Sequence, residues 1–280
     1  MRPTCPANVD PDQVAARLPS LEALQLVAHE PAAVRHVRVF GATAELAWIP
    51  SRAARAGQPG PDRPAFRGDA AERILAGETL HREGPFTVTP NRYPFAPQLA
   101  LLWAEPAQRE ASVELLGTAF AWAWRHGGTA LLNSIGAASS IARAHVHVTP
   151  EQLPFLDQLD EEPLAAEWLP RTDSVVFVRK RIPCWFVGVR GAAADVARAV
   201  HALQLRRSSA SFTLVARDRT AWLVPRTLET APGFPHPLGS AEAWGRWCYL
   251  REEDFARAEP AQLEQALVAS GMRCAAGSTA

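Results

Sequence analysis

One stretch near the middle of the chain limits the possible folds more than any other. Residues 133–143 are small and hydroxyl-rich, and residues 144–149 then alternate between polar and apolar side chains. Successive side chains of a β-strand point to opposite faces. We therefore expect His145, His147 and Thr149 to share one face of a strand, with the two imidazoles about 7 Å apart. The two intervening valines then face the core, and a compact loop leads into the strand.

The loop before this strand has the composition of an anion-binding site. Gly136 and its alanine neighbours allow backbone N–H groups to approach an anion closely. Asn133 adds a side-chain amide, and Ser139 and Ser140 add hydroxyl groups. Arg143 has the geometry to hold two phosphate oxygens at once. These residue types together predict a phosphate site.

A neutral histidine beside such a loop can attack phosphorus and form a phosphoramidate. The attacking nitrogen must be unprotonated, so the other ring nitrogen must donate to a fixed acceptor. The sequence does not identify that acceptor.

Two other interpretations of the His-x-His pair remain open. Histidines two residues apart on a strand can form half of a metal site, which then needs a further His, Asp, Glu or Cys ligand. His81, His126 and His236 are available, but their spacing is not that of ligands. Two histidines on an exposed strand face can also have no function at all.

Composition excludes several classes of protein. The 280 residues are 48% hydrophobic, enough for the core of one large domain or of two close halves. The formal net charge is zero, so we expect no nucleic-acid partner and no anionic membrane partner. The four cysteines form no Cys-x-x-Cys pair, which argues against a zinc knuckle and favours a reducing compartment. No apolar run approaches the length of a membrane span or signal segment, so we expect a cytoplasmic protein.

The remaining patterns predict an α+β protein with two antiparallel-sheet halves and packed helices, residues 1–150 and 151–280. Helix-like spacing occurs within residues 1–35, a strand or hairpin is expected at 37–48, and the composition of 50–69 is typical of a surface loop. Further strands are expected at 86–90, 99–103, 129–132, 174–178, 184–189, 211–215 and 221–225, and helices at 105–125 and 192–205.

The central stretch also resembles a known active site. Asn133-Ser-Ile-Gly-Ala137 followed by His145-Val-His-Val148 is similar to the catalytic segment of the histidine-triad (HIT) superfamily. The similarity is closest to the branch of galactose-1-phosphate uridylyltransferase (GalT), diadenosine tetraphosphate phosphorylase and GDP-hexose phosphorylase. This resemblance implies that His147 is the nucleophile and that His145 orients phosphate oxygens or donates to them.

Two positions depart from the pattern of that family. Thr149 stands where its hydrolases have a third histidine and its transferases a glutamine. Ala142 stands where its phosphate-binding serine lies, so the resemblance does not decide between Ser139 and Ser140 for that role.

Other segments resemble the same branch in the same order along the chain. The turn Asn91-Arg-Tyr-Pro94 is similar to the hairpin beside the nucleotide pocket of dinucleoside polyphosphate phosphorylases, which implies that Asn91 lies near the nucleoside or its phosphates. From the residues alone, Asn91 is a turn residue. Residues 212–226 and 237–255 also resemble phosphorylase segments.

The resemblance implies a HIT/GalT-like fold and a nucleotidyltransferase of the phosphorylase kind. His147 would attack the α-phosphate of a nucleoside diphosphate-sugar or a dinucleoside polyphosphate, and phosphate would accept the nucleotidyl group. The implied partners are a nucleotide, phosphate and a second copy of the chain, with no cofactor and no metal. A HIT-type hydrolase, an inactive nucleotide-binding protein and a metal-dependent enzyme remain as alternatives.

Overall fold

The computed structural model describes residues 10–53, 69–164, 174–179, 181–205, 209 and 211–273. Most of the surface loop expected at 50–69 therefore lies outside the described residues. Among the residues that are described, no helix is both long enough and apolar enough to cross a membrane.

The described part of the chain alternates between strands and helices. Its strands are β1 Ala33–Val39, β2 Ala42–Trp48, β3 His81–Glu83, β4 Phe86–Pro90, β5 Ala100–Ala104, β6 Thr129–Asn133, β7 His145–Thr149, β8 Glu161–Pro163, β9 Val175–Arg179, β10 Val187–Arg190, β11 Ser211–Arg217, β12 Thr220–Arg226 and β13 Arg246–Tyr249. Its helices are α1 Pro11–Arg17, α2 Asp69–Gly77, α3 Val113–Arg125, α4 Ala193–Leu205, α5 Ser240–Trp244, α6 Glu252–Arg257 and α7 Pro260–Ser270.

Ten strands form one antiparallel sheet in the order β3-β4-β5-β7-β6-β11-β12-β10-β9-β8. The two halves of this sheet have the same strand order. Counted from its own edge, each half has its first, second, third, fifth and fourth strand in chain order, so the fifth strand lies beside the third. A helix, α3 or α4, connects the third and fourth strands of each half. The α+β architecture with antiparallel strands and packed helices is thus confirmed. A boundary between halves at residue 150 stays a prediction.

Helices α1, α3 and α4 cover one face of this sheet. Leu116 and Phe120 of α3 pack in the same buried cluster as Val146, Val148 and strand residues of both halves. The predicted helix at 105–125 was too long, because α3 starts only at residue 113. Ser112 caps its first turn by accepting a hydrogen bond from the backbone N–H of Leu115 at 3.2 Å, a position that serine favours.

The other face of the large sheet is covered by a smaller sheet that joins distant parts of the chain. Strand β2 pairs antiparallel with β1 and parallel with β13. Leu46, Trp244 and Trp247 are buried there together with residues of the large sheet. The C-terminal region therefore returns to the first half of the chain, where β13 pairs with β2.

Candidate active site

The catalytic strand expected from the sequence lies near the middle of the first half of the sheet. Strand β7 is paired with β5 and β6, so that His147 lies opposite Leu101 on one side and Leu131 on the other. Val146 and Val148 are fully buried under the helices. His145, His147 and Thr149 therefore share the face away from the helices, as the alternation predicted.

The side chain of His145 is fixed by its backbone and by a tryptophan. Its Nδ1 lies 2.9 Å from the carbonyl oxygen of Arg143. Because a carbonyl oxygen can only accept, Nδ1 holds the proton and donates, and Nε2 is the nitrogen without a proton in the neutral ring. The imidazole stacks on Trp103, whose Nε1 donates to Thr89 Oγ1 at 2.9 Å. Ring orientation and tautomer are thus both set before any ligand binds.

His147 lies beside this fixed imidazole and is 8% exposed. The ring centroids of His145 and His147 are 5.2 Å apart, and Phe95 contacts the other side of His147 with centroids 5.5 Å apart. The two imidazoles are closer than the expected distance of about 7 Å along a strand because their rings lean towards each other. They are close enough to act on one phosphoryl group.

The small-residue loop contains a tight turn at residues 135–138. Gly136 has a φ of +82° and Ala138 a φ of +68°. A Cβ on Gly136 would lie 3.3 Å from Cβ of Ser211, so glycine is favoured there by both conformation and space. Turns with such φ angles can direct backbone N–H groups towards an anion. Here the N–H of Ala137 is bonded within the turn, to the carbonyl oxygen of Ser134 at 3.0 Å.

The polar residues predicted to serve this loop have different surroundings. Asn133 Oδ1 accepts a hydrogen bond from the backbone N–H of Ser240 at 2.6 Å. Ser139 donates to the carbonyl oxygen of Ile141 at 2.9 Å, within the loop itself. Ser140 is exposed. Of the two serines, Ser140 has its side chain at the surface of the loop, whereas Ser139 stabilises the conformation of the loop.

Arg143 points away from the loop. Its Nη2 donates to the carbonyl oxygen of Ala104 at 2.7 Å and to Glu105 Oε1 at 2.8 Å. The side chain of Arg143 is buried, and a buried charge without hydrogen-bond acceptors is much more costly in free energy than a charge in water. This arrangement differs from the expected grip on two phosphate oxygens, because the guanidinium is already bound to the end of β5.

Thr149 and Asn91 both organise the turn at residues 91–98. Thr149 Oγ1 donates to the carbonyl oxygen of Pro97 at 2.7 Å. Asn91 Oδ1 accepts from the backbone N–H of Tyr93 at 2.9 Å, a side-chain turn typical of asparagine. The turn places Phe95 against His147. Both residues thus form hydrogen bonds with backbone groups of the turn that contacts His147.

A buried arginine that sequence analysis missed holds the same turn from the smaller sheet. Arg246 Nε donates to Glu45 Oε1 at 2.7 Å, Nη1 donates to the carbonyl oxygen of Phe95 at 3.1 Å, and Nη2 donates to Glu151 Oε1 at 2.6 Å. Burial alone would lower the pKa of Arg246, but the hydrogen bonds that it donates to Glu151 and Glu45 outweigh burial and raise that pKa above its ordinary value. No sequence signal links three residues so far apart in the chain.

Within the part of the chain that the structure describes, no three His, Cys, Asp or Glu side chains lie close enough together to hold a metal ion.

The ten-stranded sheet and its central His-x-His strand define a protein of the HIT/GalT-like fold. No family model matches the sequence, and no curated protein matches it. Among solved structures, the chain is similar to yeast Ap4A phosphorylase Apa2 in complex with Ap4A, with a TM-score of 0.65 and 16% identity over 90% of this chain and 93% of that one. The complex of Apa2 with AMP gives a TM-score of 0.64 and 16% identity over 91% and 92%. The HIT/GalT-like fold expected from the resemblance is therefore confirmed.

Proposed function

We propose that this chain is a nucleotidyltransferase that acts at the α-phosphate of a nucleoside diphosphate or polyphosphate compound through a nucleotidyl-His147 intermediate. The observation that supports it most is the 5.2 Å distance between the rings of His147 and His145, whose tautomer is fixed by the carbonyl oxygen of Arg143. Along the chain, this strand follows the loop in which Gly136 and Ala138 have positive φ angles. The similar yeast enzyme was crystallised with Ap4A and with AMP, and both are ligands with an α-phosphate.

The proposed reaction has two displacements. A lone pair of His147 attacks the α-phosphorus, a P–N bond forms, and the P–O bond to the leaving group breaks. The leaving group departs with the electron pair as a phosphate or sugar-phosphate anion, which needs no strong acid. An oxygen of inorganic phosphate then attacks the phosphorus, and the P–N bond electrons return to His147.

His145 assists from the neighbouring position. Because its Nδ1 already donates to the carbonyl oxygen of Arg143, a second proton on Nε2 makes the ring a donor towards a phosphate oxygen. The amides of Ala137 and Ala138 already donate to Ser134 and Glu229, so other amides of the loop, together with Ser140, can bind the remaining oxygens. The transition state then forms among groups that are already oriented.

The surroundings of Thr149 favour a substrate whose leaving group departs as an anion. HIT-type hydrolases, the second candidate, have a histidine at this position. Here the hydroxyl of Thr149 donates to the carbonyl oxygen of Pro97 and accepts from the backbone N–H of Glu151 at 3.3 Å. It has no proton to give to a leaving group, so a group that leaves readily as an anion suits this site better.

The deciding experiment combines product analysis with intact mass. The protein is incubated with nucleotide-sugars and dinucleoside polyphosphates, with and without inorganic phosphate. We expect a mass increase of one nucleotidyl group that disappears when phosphate is added, and turnover that requires phosphate. His147→Asn should abolish the adduct. His126→Asn, which changes a half-buried histidine at the end of α3, should keep it.

Three results would contradict the proposal in different ways. An adduct that persists in His147→Asn would assign the nucleophile elsewhere. Turnover without phosphate would identify a hydrolase. Nucleotide binding without any adduct or product would identify a binding protein.

A further inference from the structure

A carboxylate already occupies one donor of the small-residue loop. The backbone N–H of Ala138 donates to Glu229 Oε1 at 2.9 Å. Ala138 is the residue with the φ of +68°, at the end of the tight turn. The contact shows that the Ala138 amide has the geometry to bind an anionic oxygen. In this structure the carboxylate of Glu229 supplies that oxygen.

The segment that contains Glu229 is held firmly against the loop. The carbonyl oxygen of Glu229 accepts from the backbone N–H of Leu238 at 2.8 Å, which closes the connection between β12 and α5. Gly239 follows and packs so closely that a Cβ there would lie 3.0 Å from Cβ of Ala138. The next residue, Ser240, donates to Asn133. The carboxylate therefore belongs to a folded connection that contacts the loop at both ends.

The charges around the loop do not favour a long polyanion. Arg143 is paired with Glu105, so its charge is already compensated. Arg226 is fully buried; burial lowers its pKa to about 10, and the charges of Glu242 and Glu229 oppose that effect. Within the described part of the chain, the guanidinium groups of Arg143 and Arg226 are thus each matched by carboxylates.

We infer that Glu229 determines how many phosphates the loop can accept: it keeps the Ala138 amide occupied and repels any phosphate beyond the one under attack. The substrate class favoured by this arrangement is a nucleoside diphosphate joined to an uncharged group, such as a sugar, rather than a dinucleoside polyphosphate. This inference rests on the proposed function for its substrates, but the carboxylate and its contact exist independently of the chemistry.

The first test measures binding of inorganic tripolyphosphate by calorimetry at low ionic strength. Glu229→Gln keeps an oxygen for the Ala138 amide and removes the charge. We expect it to tighten binding by about fivefold to tenfold, since like charges a few ångströms apart repel strongly when screening is weak. Glu253→Gln removes the same charge from an exposed site on α6 and should change binding less than about twofold.

Several outcomes would overturn the inference. Equal affinity in the wild type and in folded Glu229→Gln, or undetectable binding in both, would show that the charge does not limit the loop. If Glu229→Gln fails to fold, Glu229→Ala is measured instead with the same expectation, and an unchanged affinity there has the same meaning. Thermal unfolding followed by circular dichroism establishes that each variant is folded.

The second test uses the enzyme reaction. We expect Glu229→Gln to raise the kcat/KM for a dinucleoside tetraphosphate, relative to that for a nucleotide-sugar, by about tenfold. An unchanged ratio would overturn the inference although His147 still forms its adduct. Absence of any adduct in the wild type would instead contradict the proposed function, while the tripolyphosphate measurement would still test Glu229.

Discussion

The imidazole of His145 stacks on the indole of Trp103, with ring centroids 4.6 Å apart and 28° between the planes. Trp103 is fully buried and is itself fixed by its hydrogen bond to Thr89. His145 is therefore held by an aromatic surface below it and by a backbone carbonyl at its edge. Such a ring can serve a phosphate without first losing rotational freedom.

The stacking predicts different effects for two substitutions of Trp103. Trp103→Phe keeps an aromatic surface but leaves the buried hydroxyl of Thr89 without its donor, so we expect a stability loss of about 1–3 kcal/mol and little change in adduct formation. Trp103→Leu removes the surface, and adduct formation should slow by about tenfold. Rapid-quench mass analysis of adduct formation measures the rate.

A second buried tryptophan provides the control for this experiment. Trp122 of α3 is equally buried on the other face of the sheet and donates from Nε1 to the carbonyl oxygen of Pro19 at 2.9 Å. Trp122→Leu should cost a similar amount of stability and leave the rate unchanged. Equal rate losses in Trp103→Leu and Trp122→Leu would mean that the effect is one of general stability.

The buried charge network of Arg246 predicts a large loss of stability on its removal. Arg246→Met leaves Glu45 and Glu151 without their partner, and such a change typically costs about 3–5 kcal/mol. Urea unfolding measures the free energy. Arg198→Met breaks an exposed ion pair with Asp195 and should cost less than about 1 kcal/mol. A loss below about 1 kcal/mol in Arg246→Met would show that the network contributes specificity of structure rather than stability.

Local patterns account for what the sequence predicted well. The alternation of β7 and the spacing of α3 repeat over a few residues, so the faces of His147 and of its neighbouring valines follow from periodicity alone. The turn at Asn91 is likewise a local matter of side-chain hydrogen bonding.

The features that the sequence did not predict depend on contacts between distant residues. The direction of Arg143 is set by Glu105, in the segment after β5, and the amide of Ala138 is bound by Glu229 about ninety residues later. The smaller sheet joins β2 to β13, which are separated by about two hundred residues. Periodicity and spacing contain no information on such pairings, because many arrangements satisfy the same local pattern.

His29 gives the protein a specific acid sensitivity. Burial, and then the charge of Arg246, lower the pKa of His29 below its ordinary value of 6.5. Protonation then favours the unfolded chain. The stability that neutral His29 contributes to the folded state is fully present above pH 6.5, the pKa of His29 in the unfolded chain. It is lost as the pH falls from 6.5 through the lower pKa that His29 has in the folded state.

We therefore expect the wild type to lose more stability than His29→Gln between about pH 7 and pH 5, by at most about 1.4 kcal/mol per pH unit. Urea unfolding at several pH values measures the difference. If the free energy of unfolding had the same pH dependence in the wild type and in His29→Gln, the pKa of His29 would be the same in the folded and unfolded states.

The buried thiols predict resistance to alkylation. Burial raises the pKa of Cys248 to about 11, and Cys184 is also buried. At about pH 8 the thiolate fraction of Cys248 is then on the order of one in a thousand, and the thiolate is the reactive form. In a Cys5→Ser/Cys274→Ser background, we expect almost no labelling of the native protein by iodoacetamide and two labels after denaturation.

The urea dependence of labelling shows which process exposes the thiols. Cys248 lies on β13 and its side chain is buried in the cluster that includes residues of both sheets, so a reagent can reach it only when that packing opens. If this requires global unfolding, the labelling rate should rise with urea as steeply as the unfolding equilibrium itself. A shallow dependence would mean that the smaller sheet opens by itself, and the turn that contacts His147 would then lose the support of Arg246 without unfolding of the large sheet.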